Sequence, residues 1–192
     1  MGKQTVKAFS NIADYSADQR QDYLLMIGAV AASDGQIHPT ELALLKTWME
    51  FFQLDENRRK TILESIRQST TNITELEKRL AETDFVFSLI LDMMGMAMAD
   101  GILMDDEIFL LQKVAQNLKL KRTDFQILIE FVHAAHQASR LNNPEPLYEH
   151  SIESAFELMR MRNVRLFPHT LLCPTSKDFD QQLKTRWSNY NH

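Results

Sequence analysis

The sequence predicts an all-α fold: a compact helical domain of about eight helices, built from two related multi-helix repeats. Apolar residues recur at the three- and four-residue spacing of amphipathic helices, and no segment has the alternation of a strand. Glycine and proline number only 5 each, which favours long helices over strands and tight turns. A short motif around an Asp-Gly pair also occurs twice, which indicates an internal repeat.

The repeat is centred on the two Asp-Gly pairs. Residues 31–41 read Ala-Ala-Ser-Asp-Gly-Gln-Ile-His-Pro-Thr-Glu, and residues 97–107 read Ala-Met-Ala-Asp-Gly-Ile-Leu-Met-Asp-Asp-Glu. The two Asp-Gly pairs and the two final glutamates are each 66 positions apart, and flanking apolar positions such as Leu45 and Leu111 match at the same offset. Each copy is predicted to be a set of helices around one turn, with both copies sharing a core. Chance similarity between amphipathic helices is the alternative.

The chain divides into three parts. Residues 1–15 are predicted to be a loosely held lead-in segment, residues 16–162 the helical domain, and residues 163–192 a C-terminal arm with a short helix. Within the domain, the first repeat spans about 16–81 and the second about 83–140. A chain of 192 residues suits one domain made of two closely packed repeats.

Capping signals place the helices of the first repeat. Ser16 and Gln19 have the spacing of a capping box at the start of the first helix. Gly35 suits the left-handed conformation that ends a helix, and Pro39 and Glu41 suit the first and third positions of the next one. The first two predicted helices span about 16–33 and 39–53. A third begins after Asp55, and a short fourth begins with a capping box of Thr74 and Glu77 and ends near residue 81.

The second repeat begins with an apolar run from Phe85 to Ala99, interrupted by Ser88 and Asp92. A helix that is apolar nearly all round belongs in the middle of a core. Because the run is shorter than the roughly 20 residues that cross a bilayer, no membrane insertion is expected. Its methionines suit an adaptable partner groove, although their dense spacing favours a buried core. They are Met93, Met94, Met96 and Met98.

Three further helices are predicted over about 105–118, 122–140 and 147–162. The tail after them is less regular, because Pro168 and Pro174 flank a short apolar stretch that is expected to pack as an extended arm. Ser176 suits the cap of a last helix. Its apolar stripe comprises Phe179, Leu183 and Trp187.

Composition excludes several classes of protein. The net charge of −5 gives no basic surface for nucleic acid, and the local basic clusters are interpreted as solvated helix faces. The single Cys173 excludes an internal disulfide and a cysteine-based metal site, and it fits a reduced, cytoplasmic compartment. The N-terminus lacks the apolar core of a signal peptide, so a soluble protein is expected.

The acidic turns match half of an EF-hand. An EF-hand loop has glycine at position six and glutamate at position twelve, which fits Gly101 with Glu107 and Gly35 with Glu41. Its first and third positions are then methionine, valine or alanine. Because these side chains cannot replace carboxylates around a hard cation, a standard EF-hand is rejected in both copies.

A looser carboxylate cluster stays a candidate site for Ca²⁺, Mg²⁺ or Mn²⁺. Its acids are Asp100, Asp105, Asp106 and Glu107 in the second copy, with Asp34 and Glu41 in the first. The alternative is structural, because acids in the first turn of a helix accept from free amides and complement the helix dipole. In either case Gly35 and Gly101 shape the turns.

One helix carries a Glu-x-x-His element, Glu130 with His133, and His136 follows three residues later. Di-iron bundles use two such elements, and the sequence contains no second one. An ordinary polar helix face is therefore the favoured interpretation. No phosphate-binding loop or nucleophile–base pair can be defended either, so no enzymatic activity is predicted.

The repeated pattern Ala-x-x-Asp-Gly-x-(Ile/Leu)-x-x-x-Glu, followed by Leu-Leu, resembles the TerB-like family. That family includes tellurite resistance proteins and domains that precede the J-domain of some membrane-attached co-chaperones. The resemblance covers about residues 20–140 and implies a compact all-α domain of two related halves, without enzymatic activity. It also implies a role in tellurite or other stress responses. The motif positions that carry over are Asp34, Gly35, Glu41, Asp100, Gly101 and Glu107.

The sequence therefore predicts a non-enzymatic, cytoplasmic interaction module with an unidentified protein partner. The alternative is a sensor or buffer in which a divalent cation binds the acidic turn of the second repeat. A homodimer is left open, as is the role of the C-terminal arm.

Overall fold

A computed structural model describes residues 10–33, 35, 37–99, 105–138, 146–162, 164, 166–167 and 177–190. Within these residues the chain forms nine α-helices and one short 3₁₀ helix (Ile12–Asp14), and no strand. The all-α prediction is confirmed. The α-helices are α1 (Ala17–Ala31), α2 (Pro39–Phe51), α3 (Glu56–Arg67), α4 (Ile73–Leu80), α5 (Val86–Ala97), α6 (Asp105–Asn117), α7 (Arg122–Ala138), α8 (Pro146–Met161) and α9 (Lys177–Tyr190).

The first three helices begin where the capping signals place them. Ser16 accepts from the Gln19 amide at 3.2 Å while the Gln19 side chain accepts from the Ser16 amide at 2.9 Å. Pro39 occupies the first turn of α2, and Glu41 is its third residue. Asp55 caps α3 by accepting from the Arg58 amide at 2.9 Å. These starts are set locally, because each cap satisfies amides that the helix itself leaves free.

The predicted capping box of Thr74 and Glu77 is wrong. Helix α4 begins at Ile73, and its cap lies two residues before Thr74, at Asn72, whose side chain accepts from the Glu75 amide at 3.2 Å. Glu77 is buried and accepts from the Asn117 side chain at 2.9 Å, so its carboxylate joins α4 to the end of α6. A tertiary contact and an earlier cap therefore replace the local pairing.

Helix boundaries recur at the spacing of the predicted repeat. Helices α2 and α6 begin at 39 and 105, and α3 and α7 begin at 56 and 122, each 66 residues apart. The turns that end α2 and α6 also match, because Gln53 and Lys119 both have positive φ values, of 52° and 64°. These regularities support the two-repeat interpretation, which stays a prediction.

Helices α1 and α5 pack together at the centre of the core. The Tyr23 hydroxyl on α1 donates to the Asp92 carboxylate on α5 at 2.7 Å, and both residues are buried. Ser88, one turn before Asp92, accepts from the Phe167 amide at 3.2 Å. The four methionines of α5 and its end are buried, as the favoured interpretation predicts, so they do not line a groove.

Both ends of the described chain also pack against this core. The Ser10 amide donates to the Leu166 carbonyl at 2.8 Å, and Ile12 is buried. Ser10 and Ile12 of the lead-in segment thus contact the core, whereas Asn11, Ala13 and Asp14 are exposed. Trp187 of α9 is buried against Phe156 of α8, with ring centroids 5.5 Å apart. The predicted extended arm around residues 168–174 and the cap at Ser176 lie outside the described residues.

In the part of the chain that the structure describes, no helix combines the length and the apolar character needed to cross a membrane.

Close packing of α1 against α3 depends on Gly28. A Cβ atom at this position would overlap the end of the Ile66 side chain, which is itself buried. We expect Gly28→Ala to lower the free energy of unfolding by about 1–2 kcal/mol, because overpacking of about 1–3 kcal/mol exceeds the gain in helix propensity.

Chemical denaturation of a double-mutant cycle checks this packing. Ile66→Val removes the overlapping methyl group. The double variant should therefore lose less free energy of unfolding than the sum of the losses in the two single variants, by at least about 0.5 kcal/mol. Additive costs would show that Gly28 does not act through Ile66.

The Tyr23–Asp92 hydrogen bond predicts that loss of the Tyr23 hydroxyl costs more stability than loss of an exposed tyrosine hydroxyl. Tyr23→Phe should lower the free energy of unfolding by about 1.5–3 kcal/mol, because a hydrogen bond to a buried acid is lost. Tyr15→Phe is a matched control, since the Tyr15 hydroxyl donates at 3.0 Å to Asp84, an exposed acid that water can solvate instead. Equal losses in urea denaturation would contradict a special role for the buried pair.

Candidate functional site

Asp100 and Gly101 of the second acidic turn, and Asp34 of the first, lie outside the described residues. Asp105, Asp106 and Glu107 form the first turn of α6, where Asp105 and Asp106 are exposed and Glu107 is partly buried. Three acids at a helix N-terminus complement the positive end of the helix dipole.

Glu41 in the first turn is engaged in a cap. Its carboxylate accepts from the His38 amide at 2.8 Å, and the residue is only 8% exposed. Gly35, just before this helix, has a φ of 85°, as predicted for a turn glycine. Among the described residues, no three histidine, cysteine, aspartate or glutamate side chains are grouped so as to hold a metal ion. The cation site stays a prediction.

The Glu-x-x-His element does not converge on one site. Glu130 is exposed and accepts from Gln126 at 2.9 Å, and His133 is also exposed. His136, by contrast, is buried in α7 with 2% exposure. The expectation of a polar face therefore holds for Glu130 and His133 and is wrong for His136, whose ring lies in the core.

Two adjoining clefts lie where α1 and α3 end and where α2 and α4 begin. Cleft A has a volume of about 270 Å³ and cleft B a volume of about 290 Å³. Cleft A is lined by Ala32, Gly35, Ile37, Leu42, Leu63, Ile66, Arg67 and Ser69. Cleft B is lined by Ala29, Ala32, Ser33, Ile66, Ser69, Thr71, Ile73 and Leu110. Most of these side chains are apolar, so each cleft offers a surface for an apolar group.

Ile66 lines both clefts, as do Ala32 and Ser69, so the two clefts adjoin one another. The position of Ile66 follows from the contact with Gly28 that brings α3 close to α1. The packing of the core thus sets the shape of the clefts.

Helix α6 extends the surface beyond cleft B. Leu110 lines the cleft, and Phe109, the preceding residue, is 70% exposed, although Phe is among the residues most often buried. Asp106 lies four residues before Leu110 and so shares its helix face. We call cleft A, cleft B and the first two turns of α6 the turn face.

The two clefts differ in the charge beside them. Arg67 lines cleft A and is exposed, whereas exposed Asp106 lies one helical turn from the Leu110 side of cleft B. The two clefts therefore offer different electrostatic surroundings to a ligand.

A second groove, between α7 and α8, includes the exposed Met161 and has a volume of about 380 Å³. Its side chains include His150, Glu153 and Glu157. The Arg160 guanidinium hydrogen-bonds Glu157 and lowers the pKa of that carboxyl.

The sequence reasoning missed Phe109 and Arg67. The sequence carries no signal for the exposure of Phe109, because apolar periodicity treats phenylalanine as core and the exposure of Ala43, the residue 66 positions earlier, is known from the structure alone. Arg67 has no signal either, since only the tertiary structure shows that it borders a cleft.

No protein-family model, curated protein or solved structure matches the chain. The resemblance to the TerB-like family therefore depends on the motif residues alone. Among these, Gly35 and Glu41 have the turn and cap geometry that the motif implies, and Glu107 lies in the first turn of α6.

Glu41 provides a test between capping and cation binding. Glu41→Ala should lower the free energy of unfolding by about 0.5–2 kcal/mol through the lost cap, whether Ca²⁺, Mg²⁺, Mn²⁺ or a chelator is present. Glu50→Ala, an exposed position on the same helix, is the matched control and should change stability little. A cation that stabilises the wild-type chain but not the Glu41→Ala variant would instead make Glu41 a ligand.

Proposed function

We propose that the chain is a non-enzymatic module that binds another protein through the turn face. The observation that carries this proposal is the 70% exposure of Phe109, which precedes the cleft B residue Leu110 on α6, on the described part of a chain that buries most of its large apolar side chains. Exposed apolar patches with polar rims mark interaction sites, and aromatic anchors beside small clefts are typical of binding hot spots.

The lining of the clefts supports binding more than catalysis. Among the described residues that line them, alanine, isoleucine, leucine and small hydroxyl side chains predominate, and the one ionisable group is Arg67. General acid–base or nucleophilic chemistry needs at least two polar groups that converge on one atom. A role of the TerB-like kind, in a cytoplasmic response to tellurite or another stress, is the physiological setting that we propose.

Cation binding at Asp105, Asp106 and Glu107 is the alternative, favoured by the exposure of the first two carboxylates. In that case the cation would bind at the edge of the turn face, near Phe109.

Site-specific crosslinking tests the proposed function. A benzophenone amino acid in place of Phe109 should crosslink to a discrete protein in cells of the source organism, because this side chain is exposed on the part of α6 that belongs to the turn face. The same probe at Gln182, an exposed position on α9, is the control and should give no such adduct. Absence of an adduct at 109, or the same adducts at both positions, would contradict binding at the turn face.

A further inference from the structure

We infer that two segments far apart in the sequence form a clasp that opens and closes as one unit. The clasp consists of Ser10–Tyr15 of the lead-in segment and of Leu166 and Phe167, its tail part, which follow α8. Its opening uncovers aromatic rings at the centre of the core while the helices stay folded. The clasp shares no residue with the turn face, so this inference goes beyond the proposed function.

One backbone hydrogen bond joins the two segments. The Ser10 amide donates to the Leu166 carbonyl at 2.8 Å, and both residues are buried. A buried amide that loses its acceptor is costly, because no water replaces the lost hydrogen bond. Ser10 therefore keeps its buried position only while Leu166 stays in place.

A ring contact joins the segments a second time. The centroids of the Tyr15 and Phe167 rings are 5.3 Å apart, with the ring planes at 74°. This edge-to-face arrangement is one that aromatic pairs favour. The Tyr15 ring also lies 5.2 Å from that of Phe85. Departure of the lead-in segment thus removes one ring from the surroundings of Phe167, and departure of the tail part removes one ring from those of Tyr15.

Phe167 attaches the clasp to the helices. Its ring centroid lies 5.5 Å from those of Tyr23 and Phe52 and 6.0 Å from that of Phe85. The residue is 1% exposed, and its amide donates to the Ser88 hydroxyl at 3.2 Å. When the clasp opens, the rings of Tyr23, Phe52 and Phe85 lose this shared neighbour and meet solvent.

The clasp can open without the helices because its own structure is not helical. Ile12–Asp14 is a single 3₁₀ turn in which Ile12 alone is buried, and the tail part lies outside the α-helices. Helices α1 and α5 contact each other directly through the buried Tyr23–Asp92 hydrogen bond. Segments of this kind open below the free energy of global unfolding, as cooperative units.

Native-state hydrogen exchange of the full chain, followed by NMR, tests the clasp. The Ser10 and Phe167 amides report on its two segments, and the Leu89 amide, which donates to the Phe85 carbonyl at 2.9 Å, reports on α5. We expect the Ser10 and Phe167 amides to have the same opening constant within about twofold. That constant should exceed the opening constant of the Leu89 amide by about tenfold or more, as for a unit that opens on its own.

Two substitutions test whether the segments depend on each other. Tyr15→Ala removes a ring on the lead-in side and is read at the Phe167 amide, whereas Ser88→Ala removes an acceptor on the tail side and is read at the Ser10 amide. Each should raise the opening constant at the amide of the other segment by about threefold or more, because one ring contact or one hydrogen bond is lost. Tyr15→Phe keeps the ring and is the matched control, which should leave the Phe167 constant within about twofold.

Gly28→Ala distinguishes the clasp from the helical core. It loosens α1 against α3, so it should raise the opening constant of the Leu89 amide severalfold and leave those of Ser10 and Phe167 within about twofold. Wild-type opening constants that differ by about tenfold between Ser10 and Phe167 would overturn the inference. So would an effect of Tyr15→Ala and Ser88→Ala confined to the substituted segment, or an equal response of all three amides to Gly28→Ala. The wild-type comparison alone decides the matter if a variant does not fold.

Discussion

The structure depends on a carboxylate buried in its centre. Asp92 is 1% exposed, and the Tyr23 hydroxyl donates to it at 2.7 Å. Burial of a charged or polar group is costly unless hydrogen bonds replace those of water, so α1 can approach α5 only in the register that offers this hydroxyl. Ser88 lies one turn earlier on the same face of α5 and accepts from the Phe167 amide. Ser88 and Asp92, the polar residues of an otherwise apolar stretch of α5, thus fix the positions of the segments that pack against this helix.

The same helix α1 extends from this centre to the turn face. Its aromatic contacts near Tyr23 include Phe52 and Phe85, at ring centroid distances of 5.0 and 5.2 Å. More than one turn beyond Tyr23, Gly28 leaves room for the Ile66 side chain of α3. Helix α1 then ends at the clefts. Core packing and cleft shape are therefore not independent, because displacement of α1 would move the Ile66 side chain, which lines both clefts.

Features set by local interactions could be predicted from the sequence, and features set by tertiary contacts could not. Ser16 and Asp55 cap helices because their partners lie three residues away. The pairing of Thr74 with Glu77 has the same spacing, but Asn117 binds the Glu77 carboxylate from another helix. His136 follows the spacing of a polar face and is nevertheless buried. The clefts depend on the ends of four helices meeting, which apolar periodicity does not describe.

Ser69 illustrates a conflict between stability and function. It has a φ of 51° and lines both clefts. The left-handed conformation costs a residue with a side chain roughly 1 kcal/mol, and glycine would avoid that cost. Glycine would also remove the hydroxymethyl group from the wall of both clefts. If the clefts bind a ligand, a chain optimised only for thermal stability would lose part of its recognition surface at this position.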